Sequence, residues 1–348
     1  MKKITLLVLI SILLTLTGLH AQNDVWSLPP NYYQFGQPIK PLPIPALQPD
    51  GSPNLPNNMY DGYDGQFSEF AHNAMQDVNG DLLFFIVDGF IYDGEGHNIA
   101  KMTTDMYGDM TGFTETVIVP VPGNCQQYFI IGSTLSGGVH SRANIFYAKL
   151  DMSIDNFDTG RKGALIAPDP SYFGYPDNQA DRYINNIFPL STLIPNYSAS
   201  ASESKTSFAV SDLRADSTRL MFAVGEGEVY RFIINTTEIV YDNYGFLANN
   251  SSIPYIVENN NRSEMELIKT INGYRIAFSY PSNDLPYKGQ VLLVVELDNN
   301  GNVMTYNAKL FPQDVPSNSG LTANLKGLEF SPNGEYLYIT HDPLTISP

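Results

Sequence analysis

The chain of 348 residues holds one cysteine, Cys125, and one tryptophan, Trp26. A single thiol closes no intrachain disulfide, so an exported fold of this size must be held by its core. Histidine is scarce: His20, His72, His97, His140 and His341 stand singly, and no pair has the short spacing of a zinc site. No G-x-S-x-G elbow supports a serine nucleophile. Basic residues are few, 19 Lys and Arg against 36 Asp and Glu, for a formal net charge of −17. A field of that sign repels phosphate backbones and excludes nucleic acid as the expected partner. After the first 21 residues no run reaches the ~18 apolar residues of a membrane helix. What is abundant is apolar and aromatic material, 43% and 12% of the chain, ample for a large core.

Residues 1–21 read as a secretory signal peptide. Lys2 and Lys3 form the positive start, Ile4 to Leu16 the apolar centre, and Ala21 the small residue before a cut. The lipoprotein type requires a cysteine there, which is missing. The remainder is expected to be exported, to the extracellular space or outer cell surface, with the periplasm as the alternative. Residues 22–66 form a proline-rich extended leader: nine of the 24 prolines fall between Pro29 and Pro56. Proline fixes φ and removes a donor, so no helix is expected. Trp26, Tyr32, Tyr33 and Phe35 favour a leader that docks over an idle spacer.

Residues 67–348 carry a β signal throughout, with runs rich in Val, Ile, Tyr, Phe and Thr bounded by Gly, Asn, Asp and Pro. A hairpin pattern recurs, with turns at Asn79-Gly80, Gly123-Asn124, near Asp216, at Asn272-Gly273 and at Asn333-Gly334. Asn-Gly supplies the positive φ values that tight hairpin turns demand. Each of the first four hairpins is followed by a second, and two hairpins make one four-stranded blade. The largest interval, between residues 123 and 216, holds a segment at 168–203 that reads as an insertion or a degraded blade. The predicted fold is all-β: a β-propeller of four-stranded antiparallel blades, incomplete, with about five blades represented. A β-sandwich is the competing architecture.

"SPNGEYLYIT" resembles the WD40-like β-propeller repeat. "NGDLLFFIVDGFIYDGEG" followed by "ETVIVPVPGNCQQYFII" resembles the N-terminal propeller of large secreted Bacteroidetes proteins of the type IX secretion and gliding-motility type. The resemblance implies a surface-associated propeller with further domains of the same polypeptide downstream. The C-terminal sorting domain of that family is not in this sequence. The last hairpin, Leu328 to Thr340, has no second hairpin after it, which leads to the expectation of a fragment of a longer product.

Asp-rich turns are the candidates for ions: Asp61 and Asp64; Asp77, Asn79 and Asp81; Asp88, Asp93 and Glu95; Asp298 and Asn300. None completes an EF-hand loop, and Asp and Asn also serve hairpin turns for local backbone reasons. The turn role is favoured, with weak structural calcium as the remaining possibility; no other cofactor, no catalytic residue and no metal ligand is assigned. The Asp-box of propeller sialidases needs Trp within the repeats, and Trp26 lies outside them. The functional expectation is a binding or scaffolding module for a protein or carbohydrate ligand. The alternative is a propeller hydrolase or lyase with its site at the central funnel, where convergent carboxylates or His would betray an enzyme.

Overall fold

The computed structural model describes residues 25–34, 36–45, 62–104, 108–110, 116–133, 145–156, 159–167, 179–190, 193–194, 207–225, 228–246, 265–282, 289–311, 321–322, 325–341 and 345–346. The described residues are almost wholly strand and turn. The leader contributes β1 (Val25–Leu28), β2 (Asn31–Gln34) and β3 (Lys40–Pro41). Blade 1 is β4 (His72–Gln76), β5 (Leu82–Val87), β6 (Phe90–Asp93) and β7 (Asn98–Lys101), followed by the small pair β8 (Thr103–Thr104) and β9 (Gly108–Asp109). Blade 2 is β10 (Thr116–Pro120), β11 (Gln127–Ser133), β12 (Ile145–Asp155) and β13 (Lys162–Leu165), with β14 (Phe188–Pro189) added to β12. Blade 3 is β15 (Phe208–Val210), β16 (Arg219–Gly225), β17 (Glu228–Ile234) and β18 (Ile239–Phe246). Blade 4 is β19 (Met265–Thr270), β20 (Gly273–Ser282), β21 (Gly289–Leu297) and β22 (Val303–Phe311). Last come β23 (Leu321–Thr322), the hairpin β24 (Leu325–Phe330) and β25 (Leu337–His341), and β26 (Thr345–Ile346), which pairs with β23.

Each blade is an antiparallel meander whose strands pair in chain order. The predicted second strands, "DLLFFIV", "QYFII", "RLMFAV" and "YRIAFSY", fall on β5, β11, β16 and β20, the same position in four successive sheets. The strands alternate sides because successive Cβ atoms of a strand point to opposite faces. Phe84 and Ile86 of β5 join Ile130 and Phe146 in the core between blades 1 and 2. Phe85 and Val87, one residue over, join Val25 and Leu42 between the leader and blade 1. Phe129 and Ile131 meet Met221 and Phe232 between blades 2 and 3. Phe222 and Val224 meet Ile276 and Phe278 between blades 3 and 4. Ala277 and Leu292 meet Leu328 and Phe330 between blade 4 and the final hairpin.

Five apolar cores thus lie between six consecutive sheets. A sandwich has one core between two sheets; serial stacking in which every blade covers its neighbours is a propeller. The ring does not close among the described residues. No helix among them is long and apolar enough to cross a membrane.

The leader docks, and of the aromatics expected to carry the contact Tyr32 takes part. Val25 and Leu42 are buried against blade 1, with Tyr32 packed beside them, whereas Trp26 faces away and is 70% exposed. Phe35 lies outside the described residues. The described part of the leader is extended, as expected, and forms a small sheet: Pro29 and Pro30 sit in the turn between β1 and β2, and Pro41 lies on the edge strand β3, so β1 and β2 are left free to pair. From the 168–203 segment, residues 179–190 and 193–194 are described. The described ones form β14 and side-chain buttresses, with no four-stranded blade among them. Buried Arg182 donates through Nε to the Ile99 carbonyl at 2.8 Å, and Asn186 Nδ2 donates to the Lys101 carbonyl at 2.7 Å.

Candidate functional site

Asp77, Asp93 and Asp298 open turns of one design. The Oδ1 of each accepts two backbone N–H groups, those of residues two and four further on: Asn79 and Asp81 at 2.8 and 2.9 Å, Glu95 and His97 both at 2.9 Å, Asn300 and Asn302 both at 2.8 Å. The fourth residue of each turn is glycine at φ 85°, 88° and 79°, a conformation that costs other residues strain. The N–H bonds, led by that of Asp81, hold the Asp77 carboxyl below its ordinary value. Asp88 is different. It occupies a two-residue Asp88-Gly89 turn with both φ values positive, joining β5 to β6. Its carboxylate accepts from Ser68 Oγ at 2.7 Å and from the backbone of Glu69 and Phe70, both at 2.8 Å, pinning that loop to blade 1. Asp64 caps Gln66 N–H at 3.0 Å, and Asp61 lies outside the described residues. Asp64, Asp77, Asp88, Asp93 and Asp298 are therefore engaged by backbone donors, and among the described residues no group of three or more His, Cys, Asp or Glu converges.

The positive side chains make a second recurrent feature that the sequence reading missed. Several reach forward to a turn carbonyl of the next sheet. Lys149 Nζ on β12 donates to Thr237 O in blade 3 at 3.3 Å. Arg231 on β17 donates to Asn300 O at 2.8 Å and Asn302 Oδ1 at 2.9 Å in blade 4, while its Nε holds Asp242 at 2.7 Å. The guanidinium lies 4.1 Å from the Tyr244 ring centroid. Arg275 on β20 pairs with Glu296 at 2.5 Å and donates to Gly334 O in the final hairpin. Gln34 does the same from the leader, to Gly80 O at 2.7 Å. Arg161 reaches back instead, to Asp93 and Glu95 of blade 1 at 3.3 and 2.9 Å. The available signal was a lone basic residue inside an apolar strand: "FYAKLD", "VYRFII", "GYRIAF".

His72 sits at the leader junction, its Nδ1 2.8 Å from Ser27 Oγ. Burial pushes its pKa down, with nearby Asp88 opposing. His97 lies in the Asp93 turn, 3.5 Å from Asp93 and 3.8 Å from Glu95. His140 is outside the described residues, and His341 is described only by the pairing of its backbone with Leu325. Cys125 is exposed. The surface instead carries apolar and aromatic groups: Phe67 is 75% exposed, Tyr336 64% and Tyr338 62%, together with Trp26 and Leu28 of the leader.

No protein-family model matches the chain, and no curated protein matches it. Among solved structures, a member of the DUF4221 family from Bacteroides vulgatus aligns over 89% of this chain and 79% of its own, at 12% identity and a TM-score of 0.37. A mutant of the NanB sialidase from Streptococcus pneumoniae aligns over 84% of this chain and 48% of its own, at 12% identity and a TM-score of 0.27.

Proposed function

We propose that this chain is an exported β-propeller that works as a binding or scaffolding module for protein or glycan partners, without catalysis of its own. The observation that carries the reading is how the described polar groups are engaged. Asp77, Asp93 and Asp298 cap their own turns, Asp88 pins a loop, and Lys149, Arg231 and Arg275 clasp adjoining sheets. The exposed large apolar side chains include the aromatics Trp26, Phe67, Tyr336 and Tyr338 beside aliphatic residues such as Val78 and Ile271. Aromatic surfaces suit stacking on sugars and packing on peptides, and need no titrating group to do it. Export follows from the signal-peptide pattern at 1–21, and the likeness to N-terminal propellers of large secreted Bacteroidetes proteins supports placement at the outer surface alongside further domains.

Trp26 is the single tryptophan, so its emission reports events at the leader without labelling. Titrating the purified chain with oligosaccharide and peptide panels should give saturable changes in emission or calorimetric heat, with the titrants recovered intact. Turnover of a glycan titrant, abolished by substitution of one carboxylate, would establish the hydrolase or lyase reading in its place.

A further inference from the structure

The fourth strand of each blade ends its sheet and turns one edge of backbone donors and acceptors outward, a template for a further strand. Three of the four edges are guarded. In blade 1 the 179–190 segment takes up the backbone of β7. Lys101 N–H donates to the Arg182 carbonyl at 2.9 Å, the Lys101 carbonyl accepts from Asn186 Nδ2 at 2.7 Å, and the Ile99 carbonyl accepts from Arg182 Nε at 2.8 Å. In blade 2 the same segment runs antiparallel past the end of β13, with a bridge between Ile166 and Gln179 and a bond of 2.9 Å from Ala180 N–H to the Leu165 carbonyl. In blade 3 a bulge interrupts β18: Phe232 pairs with Tyr241 and Arg231 with Tyr244, and between them Asn243 takes φ 49°. Such a bulge twists an edge away from a new partner. Among the described residues, β22 of blade 4 has neither protection from Thr305 onward. Its nine residues carry one register shift, next to Val303, and then pair without a break with β21 from Thr305 to Phe311. Among the described residues, the backbone of 304–309 bonds to β21 alone. Met304 is 48% exposed, and Thr305, Asn307 and Lys309 are exposed as well.

We propose that the free edge of β22 is a strand-addition site whose occupant is an extended, basic polypeptide segment, joined to blade 4 by main-chain hydrogen bonds as a fifth strand. Two observations carry it. The chain already uses this mode on itself, since the 179–190 segment supplies backbone to the outer strands of two blades. Charge selects the partner: the chain carries −17, so its field gathers Lys- and Arg-rich segments and repels acidic ones, a second copy of the chain included. Lys309 is the one charged residue of β22, so the segment places an uncharged residue beside it. Main-chain bonds give such a contact its affinity, and the exposed side chains of Met304, Thr305 and Asn307 give it selectivity. The edge is separate from the exposed aromatics of the binding role proposed above, and the two readings stand or fall independently.

Calorimetric titration of the full chain with a synthetic strand, Lys-Thr-Val-Thr-Val-Thr-Val-Thr-Lys, tests it. Binding should saturate at one peptide per chain and weaken as salt is added. The same peptide N-methylated at its central Val and the Thr that follows loses a donor on each edge, and should bind about tenfold more weakly or not at all. Glu in place of both terminal Lys should weaken binding too. Asn307→Pro and Ala308→Pro locate the contact. Neighbouring residues of a strand send their N–H groups to opposite edges, so one variant loses a bond to β21 and the other only the free donor. The variant with the higher unfolding midpoint should keep the wild-type circular dichroism and lose the peptide, whereas Trp26→Ser should retain it. No binding of the basic strand overturns the proposal, as does equal affinity for the N-methylated or the Glu peptide. Binding that survives in that proline variant, or is lost in Trp26→Ser, overturns it as well. So does self-association of the chain that the same proline variant abolishes, which would give the edge to a second copy.

Discussion

Lys149 and Arg231 hold the same place in successive blades. Each is the cross-strand partner of a buried phenylalanine on the second strand, Phe129 and Phe222. Each donates to a carbonyl in the turn joining the third and fourth strands of the next blade, at Thr237 and Asn300. The two differ in reach. Lys149 makes one contact of 3.3 Å, whereas Arg231, its side chain 9% exposed, also holds Asp242 and Asn302.

That difference sets a ranking. Arg231→Met leaves Asp242 and the blade 4 turn without their donor and should cost about 3 kcal/mol, the scale for breaking a buried pair. Lys149→Met should cost about 1 kcal/mol or less. Guanidinium unfolding midpoints for both variants provide the comparison, and equal losses would contradict the ranking.

Leader docking rests on Leu42 and not on Trp26. Leu42→Ala should destabilise the leader by about 2–5 kcal/mol, since the side chain is buried. Trp26→Ser should change stability by less than about 0.5 kcal/mol. Hydrogen exchange of the β1 and β2 amides reads the local effect; accelerated exchange in the Trp26 variant alone would reverse the assignment.

His72 gives the leader junction a pH dependence. Burial holds its folded-state pKa below the ordinary 6.5, so the undocked chain takes up the proton first as pH falls. The stabilisation is fully present above 6.5, declines below that value, and levels off once the folded-state pKa has been passed. Asp77 adds a loss only in acid, below its ordinary 3.8. Melting temperatures taken across the range from neutral to mildly acidic pH should fall in the wild type, and less so in His72→Asn. Identical profiles would remove His72 as the cause.

Two turn glycines separate backbone conformation from crowding. A Cβ on Gly123, at φ 77°, meets nothing within 4 Å, so Gly123→Ala should cost about 1–2 kcal/mol for the left-handed conformation alone. A Cβ on Gly96, at φ 88°, would lie 2.1 Å from the Pro43 carbonyl oxygen, where the leader crosses blade 1. Gly96→Ala should therefore cost more than Gly123→Ala and speed proteolysis near Pro43. Equal stabilities with no new cleavage would show that the leader yields freely.

The blades were legible because their information is local. Asn79-Gly80, Asn272-Gly273 and Asn333-Gly334 announce turns within a few residues, and the strands β5, β11, β16 and β20 follow as apolar runs. The turn role of Asp77 and Asp298 was legible for the same reason. The leader sheet was not, because its prolines outweigh two four-residue strands in any short window, and its pairing with blade 1 depends on a residue as distant as Phe85. Nor were the arginine clasps. Arg231 and Asn300 lie 69 residues apart, and only stacking of consecutive sheets brings them together.

Phe84 and Phe85 are adjacent and both fully buried, yet they belong to different cores, one shared with blade 2 and one with the leader. Each strand therefore carries two interleaved messages addressed to different readers. Substitutions at Phe84 and at Ile130, far apart in the chain, should compensate or aggravate one another, while Phe84 and Phe85 should behave almost as strangers. Repair of one junction can then proceed at alternate positions without rewriting the other, which lets a blade change one neighbour while keeping its fit to the second.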